Sequence, residues 1–250
     1  MRLPASHVML RSGAVRAAIR RDLVVTLGPW LLAPRLVLPA SAEPLASGRG
    51  GAFRVELEDG TRVVVRLYRR GGVLARLVRE TYVGVRPRPL RELAVTDEAR
   101  RRGVPAAEVL AARVEGGVIY RGALVTAEVP AAVTLVDALR RAPDVLARSA
   151  LAASAGRAVA VLHEAGVFHA DLNLTNILVG DGPEGSEVAL LDFDRARVVH
   201  GPLPIGARRR NLRRLARSVA KLDPAGRIAG ADERAAFGRA YGGGKGVCAS

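Results

Sequence analysis

The hydrophobic and polar positions in the first half of the chain predict a small antiparallel sheet. Apolar and polar residues alternate over 53–57, a second apolar run covers 62–68, and Gly60 lies between them. This pattern is typical of a β-hairpin. Two further apolar runs, at 109–112 and 118–126, predict another pair of strands.

Apolar residues three and four positions apart predict helices in other segments. Pro89 and Gly103 suit the start and the end of one helix, and Gly166 suits the end of another. Short apolar runs at 177–179 and 188–191 predict a later hairpin. The predicted helices cover residues 15–23, 74–82, 89–103, 135–140, 149–165 and 208–222.

Composition adds a strong positive charge to this picture. The 250 residues carry a formal net charge of +15, and Lys221 and Lys245 are the only lysines, so arginine supplies nearly all of it. Although a GC-rich genome would also enrich arginine, the surplus favours an anionic partner: a phosphate-bearing substrate, an acidic membrane surface or nucleic acid. The single cysteine, Cys248, excludes a disulfide framework and a thiolate metal site. The proline-interrupted apolar stretch 23–38 is too short to span a bilayer, so we expect a soluble or peripherally attached protein.

The candidate chemistry is concentrated in 169–176, which reads His-Ala-Asp-Leu-Asn-Leu-Thr-Asn, and in Asp-Phe-Asp at 192–194. The predicted hairpin between them brings Asn176 and Asp192 together, with Asp171 on the same rim. Such a trio suits phosphoryl transfer, in which one Asp accepts the proton of an attacking hydroxyl while the other Asp and the Asn hold magnesium on nucleotide phosphates. Asp171 is therefore the predicted catalytic base, and Asn176 and Asp192 are the predicted metal ligands. A set of capping and turn residues is the alternative interpretation.

These two motifs resemble the His-x-Asp-x-x-x-x-Asn and Asp-Phe-Gly signatures of the protein-kinase-like superfamily, with Asp194 in place of the glycine. The resemblance implies a bilobal α+β fold, with a small antiparallel β lobe and a mainly helical lobe whose C-terminal part is shortened. It also implies ATP and Mg²⁺ as cofactors. A flexible lip over the phosphates is then expected at Gly48, Gly50 and Gly51, with Phe53 at the place of the third glycine.

The same resemblance implies further nucleotide-binding residues in the small lobe. Arg66 takes the place of the usual lysine, and its forked guanidinium suits phosphate, although an outward-facing strand arginine is the alternative. Glu92 is the expected ion-pair partner of Arg66, with Glu80 and Glu98 as competitors. Glu128 lies where a hinge would hold adenine through backbone groups.

Two histidines and a basic helix complete the candidate set. His163 and His169 are expected to support the fold and the catalytic loop by packing and hydrogen bonding, not to transfer protons. The predicted helix 208–222 has one apolar stripe and cations on its other faces. Those cations suit either a solvated face or a surface for an anionic partner.

The stretch from Gly48 to Leu222 resembles the bacterial lipopolysaccharide kinases and looks most like the 3-deoxy-D-manno-octulosonic acid (Kdo) kinases. This implies transfer of the ATP γ-phosphate to a sugar hydroxyl of Kdo on lipid A or a similar anionic glycolipid, by an enzyme peripheral to the cytoplasmic face of the inner membrane. Fewer than sixty residues follow Asp192, which leaves little room for the peptide-binding helices of a protein kinase. The phrases that carry the resemblance are Tyr68-Arg-Arg-Gly-Gly72, Gly103-Val-Pro105, His169-Ala-Asp-Leu-Asn173, Asn176-Ile-Leu178 and Leu191-Asp-Phe-Asp-Arg195.

Three alternatives stay open at this point: another small-molecule or Ser/Thr protein kinase, a catalytically inactive kinase-like binding module, and a basic nucleic-acid binder. The lack of lysine in the small lobe favours the second, and charge alone favours the third. The expected organisation is an N-terminal extension (1–42), a small lobe (43–128), a helical lobe (129–241) and a disordered tail (242–250).

Overall fold

The computed structural model describes residues 3–45, 51–68, 82–83, 87–182 and 185–243. The chain divides into two compact units. Unit 1 consists of Met1–Asp97 and Glu108–Glu128, and unit 2 consists of Glu98–Ala107 and Val129–Ser250. The chain thus passes from one unit to the other at 97/98, 107/108 and 128/129.

Unit 1 is built on an eight-stranded antiparallel sheet. Its strands are β1 (His7–Ser12), β2 (Val15–Arg20), β3 (Glu43–Pro44), β4 (Ala52–Glu56), β5 (Arg62–Leu67), β6 (Tyr82–Val83), β7 (Val109–Gly116) and β8 (Ile119–Ala127). They follow the order β1-β2-β7-β8-β5-β4-β3, and β6 also pairs with β8. Its helices are α1 (Val24–Leu31), which follows a 3-10 turn at Arg21–Leu23, and α2 (Arg88–Arg101), whose last turn belongs to unit 2.

The two faces of this sheet are covered by different helices. Ile19 packs with Leu27 of α1 on one face, whereas its neighbour Ala18 packs with Leu93 of α2 on the other. Successive side chains of a strand point to opposite faces, so an apolar run such as that of β2 has both faces buried.

The N-terminal segment corrects two predictions. Residues 15–23 form β2 and a 3-10 turn instead of the predicted helix, and 1–42 is not an extension, because β1 and β2 belong to the sheet of unit 1. Strand β2 lies between β1 and β7, which satisfy its backbone groups on both sides. The pairing with β1 in a hairpin and with the distant β7 overrides the local helical spacing.

The other predictions for unit 1 agree with the structure. The hairpin over 53–68 is β4–β5, with Gly60 at a φ of +80° in its turn, and the second strand pair is β7–β8. Helix α2 has nearly the predicted bounds, Arg88–Arg101. The helix predicted over 74–82 lies outside the described residues except for Tyr82, which is in β6.

Unit 2 is mainly helical. Its helices are α3 (Leu135–Arg141), α4 (Val145–Glu164), α5 (Ile205–Leu222) and α6 (Ala231–Gly243). Its strands are β9 (Val133–Thr134), β10 (Val167–Phe168), β11 (Ile177–Gly182), β12 (Gly185–Leu190) and β13 (Arg197–Val198). Strands β12, β11 and β9 form one antiparallel sheet, and β10 pairs with β13.

Helix α4 is the central helix of unit 2. It packs closely against α6, since a Cβ added to Gly156 would lie 2.5 Å from the carbonyl oxygen of Phe237. Among the described residues, α4 is the one helix long and apolar enough to cross a membrane by length and composition. One side of α4 is buried and includes His163. A buried side of this kind is typical of the core helix of a folded domain.

The ends of two helices depend on glycine. Gly103 follows α2 with a φ of +81°, and Gly166 follows α4 with a φ of +74°. Both are the predicted helix-ending residues, and only glycine adopts this left-handed conformation without steric cost. At the C-terminus α6 extends to Gly243 and so includes the first two residues of the predicted tail; residues 244–250 lie outside the described part.

These two glycines predict different costs for the same substitution. In Gly103→Ala the added Cβ meets nothing within 4 Å, so we expect a loss of about 1 kcal/mol from backbone strain alone. In Gly166→Ala the Cβ would lie 2.2 Å from the carbonyl oxygen of Gly201, so we expect a loss of about 3 kcal/mol or more. Urea unfolding of both variants measures the difference, and equal losses would contradict the described backbone around Gly166.

Candidate active site

The loop from His169 to Asn176 is shaped by its own polar side chains. Asn173 caps the 3-10 turn Leu174–Asn176, with Oδ1 accepting from the N–H groups of Thr175 (2.9 Å) and Asn176 (3.1 Å). The Asn173 amide also donates to the carbonyl of Asp171 at 3.0 Å. Local side-chain bonds of this kind fix a turn without help from a sheet or helix. The Asp171 side chain is exposed at the turn.

The predicted hairpin exists as β11–β12, in the register Ile177↔Leu190. Its open end is closed by a backbone hydrogen bond of 2.9 Å from the Leu191 N–H to the Asn176 carbonyl. Asn176 also donates from Nδ2 to the carbonyl of Asp171 at 2.9 Å. The structure therefore brings Asp171 and Asn176 into contact and places Asp192 one residue beyond the closing bond.

Asp192 has an unusual backbone conformation. Its φ is +61°, in the left-handed region that non-glycine residues rarely occupy and that Asp tolerates better than most. The next residue, Phe193, is buried, and its ring meets the His169 ring edge-on with 5.1 Å between centroids. Packing of Phe193 thus holds Asp192 in a conformation that costs free energy, a feature that clusters at functional sites.

His169 connects the loop to the end of the hairpin. Its Nε2 donates to the carbonyl of Leu191 at 2.8 Å, and its Nδ1 accepts from the N–H of Asp171 at 3.2 Å. These bonds require the neutral imidazole with the proton on Nε2. Burial lowers the pKa of His169, and the nearby Asp192 and Asp171 carboxylates oppose that shift. The supporting role predicted for His169 is confirmed.

Asn211 of α5 is a supporting residue that the sequence analysis missed. It is fully buried, its Oδ1 accepts from the N–H of His169 at 3.2 Å, and its Nδ2 donates to the His169 carbonyl at 2.5 Å. The sequence feature that could have indicated this role is the position of Asn211, a polar residue one turn before Leu215 on the apolar, buried side of the helix. Such a residue is stable there when it is fully hydrogen-bonded.

His163 also belongs to this buried network and has the predicted packing role. Its Nδ1 accepts from the Tyr241 hydroxyl at 2.8 Å, and its Nε2 donates to Oδ1 of Asn211 at 3.3 Å. Burial lowers the pKa of His163 to about 4, so the ring is neutral near pH 7.

A second missed residue, Arg214 of α5, contacts the predicted base directly. Its Nη1 donates to Oδ1 of Asp171 at 2.9 Å. One turn further along the helix, the hydroxyl of Ser218 accepts from the N–H of Leu174 at 3.1 Å. Helix α5 thus contributes Asn211, Arg214 and Ser218 to the surroundings of the loop.

In unit 1, the predicted ion pair between Arg66 and Glu92 is formed. Nη2 of Arg66 donates to both carboxylate oxygens of Glu92, and the Tyr68 hydroxyl donates to the same carboxylate. Glu92 is buried, while the Arg66 side chain remains 30% exposed. The competitor Glu98 instead pairs with Arg101 and Arg102; Glu80 lies outside the described residues.

Glu128 and Gly51, two further predicted nucleotide-binding residues, both take part in backbone hydrogen bonds of unit 1. The Glu128 carboxylate pairs with Arg54 at 2.6 Å, and its N–H donates to the carbonyl of Arg62 at 3.2 Å. A role in holding adenine would therefore fall to the Glu128 carbonyl. Gly51 precedes β4, and its carbonyl accepts from the Leu67 N–H at 2.7 Å. Gly48 and Gly50 lie outside the described residues.

The oxygen ligands fit a magnesium ion that is shared with a nucleotide. Within the described ranges there is no group of three or more His, Cys, Asp or Glu side chains that could hold a metal by themselves. Asn176 and Asp192 offer one carboxamide and one carboxylate at the open end of the hairpin. Magnesium is usually held by one or two such groups together with substrate phosphates and water, so this donor set suits it.

Comparison with known proteins identifies the relatives of this chain. The family description "Lipopolysaccharide kinase (Kdo/WaaP) family" matches residues 41–241. The 3-deoxy-D-manno-octulosonic acid kinase of Vibrio cholerae is 35% identical over 182 residues, which are 70% of this chain and 72% of that protein. The enzyme of the same name from Xanthomonas campestris is 40% identical over 182 residues, covering 70% and 68% of the two chains.

A solved structure described as WaaP in complex with acyl carrier protein has a similar fold. It superposes with a TM-score of 0.53 at 23% identity and covers 82% of this chain and 78% of that one. This likeness supports the protein-kinase-like α+β fold that was predicted. On the family match and the identity to these relatives, the chain belongs to the lipopolysaccharide kinase (Kdo/WaaP) family.

Proposed function

We propose that this protein transfers the γ-phosphate of ATP to a hydroxyl of the sugar acid Kdo on lipid A. The observation that carries the proposal is the contact between Asp171 and Asn176 at the open end of the β11–β12 hairpin, with Asp192 one residue beyond Leu191. The family and the Kdo kinases among the relatives support this choice of reaction and acceptor.

Asp171 is the residue best suited to receive the acceptor proton. Its side chain is exposed, so an incoming hydroxyl can reach it, and its backbone is fixed by bonds to His169, Asn173 and Asn176. A neutral His169 with both nitrogens engaged does not compete for that proton. Asp171 then orients the hydroxyl for in-line attack and accepts its proton.

Several residues are proposed contacts for the nucleotide phosphates and their metal. Bound at Asn176 and Asp192, magnesium would neutralise charge on the phosphates during transfer. Arg66 would contact a phosphate oxygen while Glu92 fixes the direction of its guanidinium. Gly48, Gly50 and Gly51 would cover the phosphates with backbone N–H groups.

The lipid acceptor and the basic charge together support a location of the proposed reaction at a membrane surface. The net charge of +15 favours attraction to an anionic lipid bilayer. We therefore propose that the enzyme works in peripheral contact with the cytoplasmic face of the inner membrane.

Mass spectrometry of Kdo–lipid A after incubation with the protein, ATP and Mg²⁺ tests the proposed function. We expect one added phosphate on the Kdo sugar, and none when Mg²⁺ is chelated. An unmodified lipid, with phosphate transferred instead to a protein or to a small-molecule acceptor, would contradict the proposal.

Asp171→Asn should lower the transfer rate by roughly 100- to 10,000-fold, because the amide cannot accept the acceptor proton. Binding of Mg·ATP should be nearly unchanged, since Asp171 is not a proposed metal ligand. The matched control is Asp232→Asn, an exposed Asp in the first turn of α6, which should leave the rate unchanged. Full activity of Asp171→Asn on the purified lipid would show that the role assigned to this residue is wrong.

Arg66→Ala should raise the KM for ATP by roughly tenfold or more, because a charge-assisted bond to phosphate is lost. It should also destabilise unit 1 by about 1–3 kcal/mol, since the buried Glu92 carboxylate loses the Arg66 guanidinium. Arg66→Lys keeps the positive charge but not the forked guanidinium. Its KM for ATP and its stability should therefore lie between those of the wild type and those of Arg66→Ala.

The control for Arg66 is Arg11→Ala, at an exposed position of β1 in the same sheet. It should change neither the KM for ATP nor stability appreciably. If Arg66→Ala unfolds more easily yet binds ATP as the wild type does, Arg66 stabilises the fold and does not contact phosphate.

A further inference from the structure

Helix α5 is fixed against the catalytic loop at two points that are two helical turns apart. Asn211 binds both backbone groups of His169, and Ser218 accepts from the N–H of Leu174. Side chains seven residues apart lie on one face of a helix, so the position between them faces the same loop. The residue that reaches the loop there is Arg214.

The guanidinium of Arg214 has capacity for a second partner. One of its five N–H donors binds Oδ1 of Asp171 at 2.9 Å, and among the described residues this is the hydrogen bond that Arg214 makes. The side chain is 44% exposed, and that of Asp171 is 53% exposed. An ion pair so open to water contributes little to stability, which leaves Arg214 able to share or exchange its partner.

Neighbouring cations of α5 are already used in other contacts. Arg208 pairs with Glu164 at 2.6 Å, and the guanidinium of Arg210 lies 5.4 Å from the ring centroid of Phe168. Among the described residues of α5, Arg214 is the cation that pairs with the Asp171 carboxylate.

The proposed acceptor carries the group that this position fits. Kdo is a sugar acid, so a carboxylate and the reacting hydroxyl belong to the same sugar unit. When the reacting hydroxyl binds Asp171, the carboxylate of the same sugar lies no farther from the Arg214 guanidinium than the length of one sugar unit. The planar, forked guanidinium matches the geometry of a carboxylate. Resting on the proposed function, we infer that Arg214 binds the carboxylate of the acceptor sugar and selects sugar acids over neutral sugars.

The test compares two acceptors and two enzymes. Wild type and Arg214→Ala are assayed with Kdo–lipid A and with the same lipid whose Kdo carboxyl group has been converted to a methyl ester. We expect Arg214→Ala to lower kcat/KM for the acid acceptor by roughly 10- to 100-fold, the range typical of a charge-assisted bond, with the KM for ATP unchanged. Esterification should cost the wild type about the same factor, and it should cost Arg214→Ala almost nothing more.

The ester acceptor separates substrate binding from support of the base. If Arg214 served only to position Asp171, Arg214→Ala would lose the same factor with both acceptors, and the inference would be overturned. Arg214→Ala could also lose the same factor with both acceptors but lose nothing on acceptors without the lipid A phosphates. That outcome would assign Arg214 to a lipid A phosphate and would also overturn the inference. A wild type that modifies neither lipid would reject the proposed function and this inference together.

Two further variants complete the experiment. Arg213→Ala removes an exposed cation from the adjacent position of α5 and should leave both acceptors unaffected. Arg214→Lys keeps the charge but not the fork, and should recover part of the activity on the acid acceptor alone. Unchanged thermal unfolding of all variants establishes that the kinetic differences do not arise from misfolding.

Discussion

The hydrogen bond from the Leu191 N–H to the Asn176 carbonyl is the constraint on which the site depends. It closes the β11–β12 hairpin in the register Ile177↔Leu190, and thereby sets which residues emerge together at its open end. A slip of one residue would turn every side chain of one strand to the opposite face. In the observed register, Asn176 directly precedes β11 and Asp192 follows Leu191, so these two oxygen-bearing residues flank the same end of the hairpin although fifteen residues separate them.

Buried polar groups keep this arrangement rigid. His169 binds the carbonyl beside Asp192 with one nitrogen and the N–H of Asp171 with the other, and Asn211 satisfies both of its backbone groups. In the described part of the chain, every buried side-chain nitrogen and oxygen has a hydrogen-bond partner. Satisfied networks of this kind specify one geometry, because breaking any bond would leave a buried polar group unpaired. The exposed Asp171 carboxylate is thus presented by a frame that cannot easily rearrange.

The sequence predicted those features whose causes are local. The hairpin β11–β12 follows from alternation and turn residues, and α2 follows from Pro89 and Gly103 at its ends. Asp171, Asn176 and Asp192 are predicted from the residue types and spacing of 169–176 and 192–194, which need no knowledge of the folded sheet. By contrast, β2 was predicted as helix from its local spacing, and its pairing with the distant β7 is known only from the folded sheet.

The contribution of α5 was also beyond sequence reasoning. Asn211 lies 42 residues from His169, and Arg214 lies 43 residues from Asp171. Their roles depend on how the helix packs, and in the sequence they look like one polar and one basic residue among many.

The most direct test of the central claim is Mn²⁺ electron paramagnetic resonance with a non-hydrolysable ATP analogue. Asn176→Ala and Asp192→Ala should each abolish tight Mn²⁺ binding, whereas Asp59→Asn, in the β4–β5 turn, should not. Wild-type Mn²⁺ affinity in both alanine variants would contradict a metal centre at the end of this hairpin.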